Sequence, residues 1–350
     1  MIKPRKAIEK MQPYNPPLEG RRGLIRLDFN ENTIGCSPKV LEAIRRIPAD
    51  EIATYPEYSK FRKKLANCLK VKEDELMVNN ATDESIMVIM QAYIEKGDEV
   101  VLPIPTFAMF KFYAQLMDAN VKEVLYNKDL SFPTDGVLNS ITNRTKLVIL
   151  CNPNNPTGTP IKREDIIKII EKAKANNSLV LLDEAYVQYN KATCKDLINK
   201  YQNLIIIQTF SKAYGMAGLR LGYAIADKEI MKNLLKASSP YSVNTMATAA
   251  GSAAIDDQEF VKKYVKEVEK SKKIIYKEFR KLKIKTYPTA ANFLIVYFGK
   301  NCKRIEKGLK KKGILVRDRS NYPLLNGCLR IGIGTAEQTK KLISALKVIL

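Results

Sequence analysis

The residues best suited to chemistry lie in one stretch, TFSKAYGMAGLRLGY at positions 209–223. An apolar run ends in Thr209, Phe210, Ser211 and Lys212, and Arg220 follows eight residues after the lysine. A lysine just past a buried strand could be an ordinary solvated side chain. Two hydroxyls and an arginine around it, in a glycine-rich loop at the carboxyl end of a strand, instead suit a bound phosphate group with an amine nearby. Two other segments end in the same manner. In LVLLDEAY, positions 179–186, an apolar strand delivers Asp183 and Glu184 at its carboxyl edge, with Tyr186 close behind. In CNPNNPTG, positions 151–158, a loop stiffened by Pro153 and Pro156 presents Asn152 and Asn155. Taken singly, the first could be only a strand end and the second only a turn.

These side chains need a scaffold that brings strand ends together. Apolar runs of strand length are predicted at 75–78, 99–103, 121–125, 147–151, 179–183, 204–209 and 222–226, and amphipathic stretches at 83–96, 107–118 and 162–176 predict helices between them. Strands that are apolar throughout signal a mostly parallel α/β sheet covered by helices on both faces. SSPYSVN at 238–244 combines turn-forming residues and predicts a boundary. Beyond it, Val261, Tyr264, Val265, Val268, Ile275, Phe279 and Leu282 form the apolar stripe of a helix spanning 260–282. Strands at 291–297, 314–317 and 328–333 and a closing helix at 337–350 complete a small α+β C-terminal domain. The expected organisation is an N-terminal arm over 1–30, a large domain over 31–238 and a small domain over 239–350.

Composition removes several chemistries. The chain has no histidine, which excludes His-based triads, His metal ligands and a His general base. Six scattered cysteines without a CxxC pair argue against structural zinc and a disulfide framework. No metal is expected. The formal charge of +22 comes from basic residues spread along the chain and mixed with Glu, which reads as solvated helix faces rather than a nucleic-acid surface. Small anionic substrates fit this field better. No apolar run approaches a bilayer span, and the basic start lacks an apolar stretch after it, so a cytoplasmic location without membrane contact is expected.

Together, in this order and spacing, the three segments resemble the fold-type I family of pyridoxal-phosphate enzymes, and within it the histidinol-phosphate aminotransferase group. The likeness extends through LDFNEN (27–32), YPEYS (55–59), ATDE (81–84), PTF (105–107), VRDR (316–319) and CLRIGIG (328–334). It implies that Lys212 holds pyridoxal 5'-phosphate as a Schiff base and moves a proton during the reaction. Asp183 would keep the pyridine nitrogen protonated, Asn155 and Tyr186 would donate to the phenolate oxygen, and Phe107 would stack on the ring. The backbone at Thr82 and Asp83 would hold the phosphate with Thr209, Ser211 and Arg220. Relatives commonly carry Gly where this chain has Ala81 and Ser85, which suggests a less open loop.

The resemblance further implies a homodimer in which Tyr55 reaches the neighbouring active site. Arg330 would grip the substrate carboxylate, Arg317 would lie near a substrate phosphate, and Tyr14 would close the site from the arm. Amino transfer between glutamate or 2-oxoglutarate and a small phosphorylated ketone or amine is the expected activity, with dihydroxyacetone phosphate or serinol phosphate as smaller options. Decarboxylation of a phosphorylated threonine or serine on the same scaffold is the alternative, because motifs that bind the cofactor do not choose which substrate bond breaks. A cofactor-sensing DNA-binding regulator would need a further domain, and too few residues precede the match to supply one.

Overall fold

The computed structural model describes residues 2–350 and builds its larger sheet from seven strands. In chain order these are β1 (Leu76–Asn79), β2 (Glu99–Ile104), β3 (Asn120–Leu125), β4 (Thr145–Cys151), β5 (Leu179–Asp183), β6 (Leu204–Thr209) and β7 (Gly222–Ala226). Across the sheet the order is β1, β7, β6, β5, β4, β2, β3. Only β7 runs against its neighbours; the other pairs are parallel.

The uninterrupted apolar character of the central strands follows from having two covered faces. Val148, Leu150, Val180, Leu182, Leu204 and Ile206 project into one cluster, where they meet Ile166, Ile169 and Ile170 of the helix Arg163–Ala175. Their alternates Leu147, Ile149, Leu181, Ile205 and Ile207 project into the other, against Ile86, Ile89 and Met90 of Ala81–Tyr93 and Met231 and Leu234 of Lys228–Ala237. Each such fully buried aliphatic side chain contributes about 1.5–3 kcal/mol relative to exposure, so the strand ends sit on a stiff platform.

The packing of the larger unit continues past residue 238. The helix Thr245–Asp256 lies in the first cluster through Ala247, Ala250 and Ala254. A Cβ on its Gly251 would come within 2.7 Å of the Phe61 ring, so a small residue is needed for this close approach.

The chain then enters the smaller unit along Gln258–Lys281, whose Val261, Tyr264, Val265, Val268, Ile275 and Phe279 cover an antiparallel sheet. Its strands are β8 (Lys285–Thr286), β9 (Phe293–Tyr297), β10 (Arg317–Asp318) and β11 (Cys328–Gly332), in the order β10, β11, β9, β8. The single strand expected over 314–317 is split: Ile314–Leu315 pairs in parallel with Ile25–Arg26, and only Arg317–Asp318 joins β11. The N-terminal segment is thereby anchored to the smaller unit, with Leu27 in its core, before residues 28–32 cross to the larger one.

Among the described residues no helix is long and apolar enough to cross a membrane, and no cluster of potential metal ligands occurs.

Candidate active site

The carboxyl ends of β4, β5 and β6 lie side by side, with Cys151 in register with Asp183 and Asp183 with Ile207. Above them opens a cleft of about 410 Å³ between the two units. Open parallel sheets bind ligands at this edge. Lys212, Asp183, Tyr186, Asn155, Arg220 and Arg330 all line this one cleft, although up to 175 residues separate hydrogen-bonded partners among them.

Lys212 leaves β6 in the loop after Thr209, and its Nζ donates to the Phe29 carbonyl at 3.1 Å. Desolvation, followed by the positive charge of Arg330, lowers its pKa to about 8. An amine in this range gives up its proton near physiological pH far more readily than an ordinary lysine, which suits a base or nucleophile. Asp183 is 4% exposed, and its Oδ1 accepts only from the Ala185 amide, at 2.8 Å. Burial pushes its pKa up to about 7; the Ala185 bond and the charge of Lys212 only partly offset that.

The neighbouring acid shows the contrast. Glu184, the first residue after the strand, accepts from Thr193 Oγ1 at 2.7 Å, Cys194 N at 2.6 Å and Gln208 Nε2 at 2.7 Å. Its needs are met within the protein, whereas those of Asp183 are not.

Asn155 accepts from Arg330 Nη1 at 2.5 Å through Oδ1, so its Nδ2 is the group left to donate. The Tyr186 hydroxyl accepts from Asn30 Nδ2 at 2.9 Å and keeps its own proton, since burial raises its pKa. The loop carrying Asn155 is held by Asn154, which donates to the Pro105 carbonyl and to Thr157 Oγ1, each at 2.9 Å. Gly158 lets this loop touch the smaller unit: its φ is +77°, and a Cβ there would sit 2.1 Å from Thr289 Oγ1.

At the opposite wall, Thr209, Ser211 and Arg220 face the start of the helix Ala81–Tyr93. The Thr209 and Ser211 hydroxyls are 3.0 Å apart, and Arg220 Nη2 donates to Asp83 at 2.7 Å. No side chain of the preceding residue, Asn80, caps the helix. Its first amides, those of Ala81, Thr82 and Asp83, are donors that the helix itself cannot satisfy. Ala81 takes a left-handed φ of 65°, a conformation that costs an alanine more than a glycine. Ser85 does not narrow the cradle, because its hydroxyl turns inward to Asn79 Oδ1 at 2.9 Å.

Other expected residues fall in different places. Phe107 lines the cleft and meets Phe110 edge to face at 5.6 Å, and Tyr14 reaches the cleft from the N-terminal arm. Tyr55 is 76% exposed and stacks on Tyr241 at 4.5 Å, away from the cleft of its own chain. Arg317 does not line the cleft; Arg319, two positions on, does.

The segment 28–32 was expected only as part of a motif, yet its carbonyls and side chains contact three site residues. Lys212 binds Phe29 O, Arg330 binds Asp28 O, and Asn30 binds Tyr186. Arg21 holds this strap through ion pairs of 2.8 Å to both Asp28 and Glu31. Nothing in the residue types alone marks backbone carbonyls as partners.

Residues 22–346 match the family described as aminotransferase class I and II. The chain belongs to that family. It is 38% identical over 330 residues to a histidinol-phosphate aminotransferase of Thermoanaerobacter pseudethanolicus, covering 93% of each chain. A protein of the same description from Methanocaldococcus jannaschii is 34% identical, covering 99% of this chain and 98% of its own. Among solved structures, the histidinol-phosphate aminotransferase of Sinorhizobium meliloti in complex with pyridoxal-5'-phosphate superimposes with a TM-score of 0.89 at 25% identity, over 100% of this chain and 98% of that one. The fold is fold-type I, and the protein is an aminotransferase dependent on pyridoxal phosphate.

The residues of this aminotransferase fit the cofactor. A buried carboxylate without a cation suits a protonated ring nitrogen, two donors remain free on Asn155 and Tyr186, and hydroxyls, Arg220 and an uncapped helix start suit a phosphate.

Proposed function

We propose that this aminotransferase moves an amino group between glutamate or 2-oxoglutarate and a small phosphorylated ketone or amine of the histidinol phosphate type. The observation that carries this is the meeting, in one cleft, of a desolvated lysine amine, a buried carboxylate and an arginine whose charge no carboxylate answers. The relatives named above point to the same substrate class.

When bound, pyridoxal phosphate supplies an aldehyde that condenses with amines and a ring that takes up electrons. Lys212 would hold it through its amine and, with that amine free, would serve as the group that takes up and returns a proton. Asp183 would keep the cofactor's ring nitrogen charged. Asn155 Nδ2 and the Tyr186 hydroxyl would donate to its phenolate oxygen, and Phe107 would cover its ring. Thr209, Ser211, Arg220 and the amides of Thr82 and Asp83 would hold its phosphate, which would require Arg220 to share itself between that anion and Asp83. Arg330, fixed by Asn155 and the Asp28 carbonyl, offers a planar fork to a substrate carboxylate. Tyr14 covers the opening from the arm.

The working unit is a homodimer located in the cytoplasm. Ile52, Tyr55, Tyr241 and Met246 are between 42% and 76% exposed, and the hydrogen bond between Thr245 Oγ1 and the Glu51 carbonyl ties the two segments that bear them. Burying such a face against a second copy would bring Tyr55 to the neighbouring cleft.

A half-reaction screen of the holoenzyme tests the function. Glutamate and at least one of histidinol phosphate and serinol phosphate are expected to change the visible spectrum of the bound cofactor, and 2-oxoglutarate to reverse it. Release of carbon dioxide from phosphoserine or phosphothreonine without any oxo-acid acceptor would instead establish a decarboxylase.

A further inference from the structure

Tyr186 takes its position from the smaller unit as well as from its own. Its ring meets Phe293 of β9 nearly edge to face, with centres 5.1 Å apart. Its hydroxyl accepts from Asn30 Nδ2 at 2.9 Å. Asn30 is in turn held by Asn292, the residue before Phe293, whose Nδ2 donates to the Asn30 carbonyl at 3.1 Å. The Asn292 carbonyl accepts from the Ile333 amide at 2.7 Å, which continues the pairing of β9 with β11 by one residue. A line of bonds therefore runs from the smaller sheet, through Asn292 and Asn30, to one hydroxyl in the wall of the cleft.

Stability does not account for this line. Asn30 and Asn292 are 2% and 1% exposed, and the Oδ1 of each is buried without a partner among the described residues. A buried amide whose acceptor is unpaired costs more than an apolar side chain of the same shape. Asn30 also holds a left-handed φ of 56°, which few residues other than glycine adopt. Both costs fall where a single amide donor reaches Tyr186. A tyrosine hydroxyl has one proton, and with Asn30 donating to its oxygen that proton is left for another acceptor. Accepting a bond also makes the hydroxyl a stronger donor.

We propose that Asn30 is a positioning residue for Tyr186: its amide turns the hydroxyl proton toward the cofactor's phenolate oxygen, and Asn292 fixes that amide from the smaller sheet. The proposal rests on the reading of Tyr186 as a donor to that oxygen and adds what aims it. A donor bond to the phenolate favours its charged form and weakens its hold on a proton. The ionisable groups that face Tyr186 are Arg330 from β11, Cys151 at the end of β4, Asp183 at the end of β5 and Lys212 from the loop after β6. None of them hydrogen-bonds its hydroxyl; among the described residues only Asn30 does.

The test follows the visible spectrum of the bound cofactor against pH in wild type, Asn30→Gly, Asn292→Ala, Tyr186→Phe and the two double variants with Tyr186→Phe, with melting of the cofactor-free proteins alongside. Glycine accepts the left-handed backbone and keeps the carbonyl that Asn292 binds, so Asn30→Gly removes the amide alone. It is expected to raise the midpoint of the spectral change by about half to one pH unit, which is an about 3- to 10-fold stronger hold on the proton, and Tyr186→Phe is expected to raise it further. Asn292→Ala should move it in the same direction by less. Added to Tyr186→Phe, neither substitution should move the midpoint again. An equal shift with and without the Tyr186 hydroxyl would overturn the proposal. So would an unmoved midpoint in Asn30→Gly beside a raised one in Tyr186→Phe, even if cofactor-free Asn30→Gly melts at a lower temperature. An unmoved midpoint in Tyr186→Phe itself would sink the reading of Tyr186 as a donor, and the proposal with it.

Discussion

Replacing Lys212 with alanine lowers amino transfer by about 10³- to 10⁴-fold, at the upper end of what a positioned acid–base group contributes. On the proposed roles the loss falls on kcat, because Thr209, Ser211 and Arg220 would still hold the cofactor and Arg330 would still hold the substrate. Lys212→Arg is expected to fare no better. It keeps the positive charge but cannot release a proton in this pH range, so the comparison separates charge from proton transfer. A small primary amine added to Lys212→Ala should restore part of the rate by taking up the missing base, whereas it should do nothing for Lys212→Arg, whose side chain fills the space. Single-turnover spectra with glutamate measure each of these. An unchanged rate in Lys212→Ala would remove Lys212 from the chemistry.

Asp183→Asn separates activity from stability in opposite directions. With the cofactor bound, the variant would lack the carboxylate proposed to pair with the ring nitrogen. Breaking one side of a buried charge pair costs about 3–4 kcal/mol, which corresponds to about 10²- to 10³-fold in rate. Without the cofactor the sign reverses. The folded-state pKa of Asp183 is raised to about 7, above the usual 3.8, so between those values the folded chain holds a proton that the unfolded chain has released. Stability of the cofactor-free protein therefore falls as pH rises from about 4 to about 7, by up to about 4 kcal/mol, and stays low above that. Asparagine keeps the acceptor for the Ala185 amide and carries no charge. Cofactor-free Asp183→Asn should thus unfold at higher denaturant concentration than cofactor-free wild type at pH 8 and at nearly the same concentration at pH 4. Equal curves at pH 8 would mean that Asp183 is not held under strain for the cofactor.

The elements that carry these two residues were legible in the sequence because burial on both faces leaves an unmistakable pattern. β4, β5 and β6 have no polar alternation, and each ends in the residue that turns toward the cleft. The helix Thr245–Asp256 left no such trace: TMATAAGSAAID offers mostly small side chains, which pack by close approach and form no amphipathic stripe. Periodicity predicts no helix there for that reason. The short helices Pro38–Arg45 and Thr134–Ser140 were hidden similarly, each having a single fully buried apolar residue, Val40 and Val137.

At the site, residue types identified the donors and acceptors but not their partners. Asn155 follows β4 of the larger sheet and Arg330 lies on β11 of the smaller one, so their 2.5 Å contact joins residues 175 positions apart. The strap at 28–32 acts largely through backbone carbonyls, which every residue possesses.

The most direct measurement is borohydride reduction of the yellow holoenzyme followed by peptide mass mapping. The expected result is one added pyridoxyl phosphate group per chain, located on Lys212 in the peptide that contains Thr209 to Arg220. Its appearance on any other lysine, or its absence from a protein that still transfers amino groups, would contradict the assignment of Lys212 as the residue that holds the cofactor.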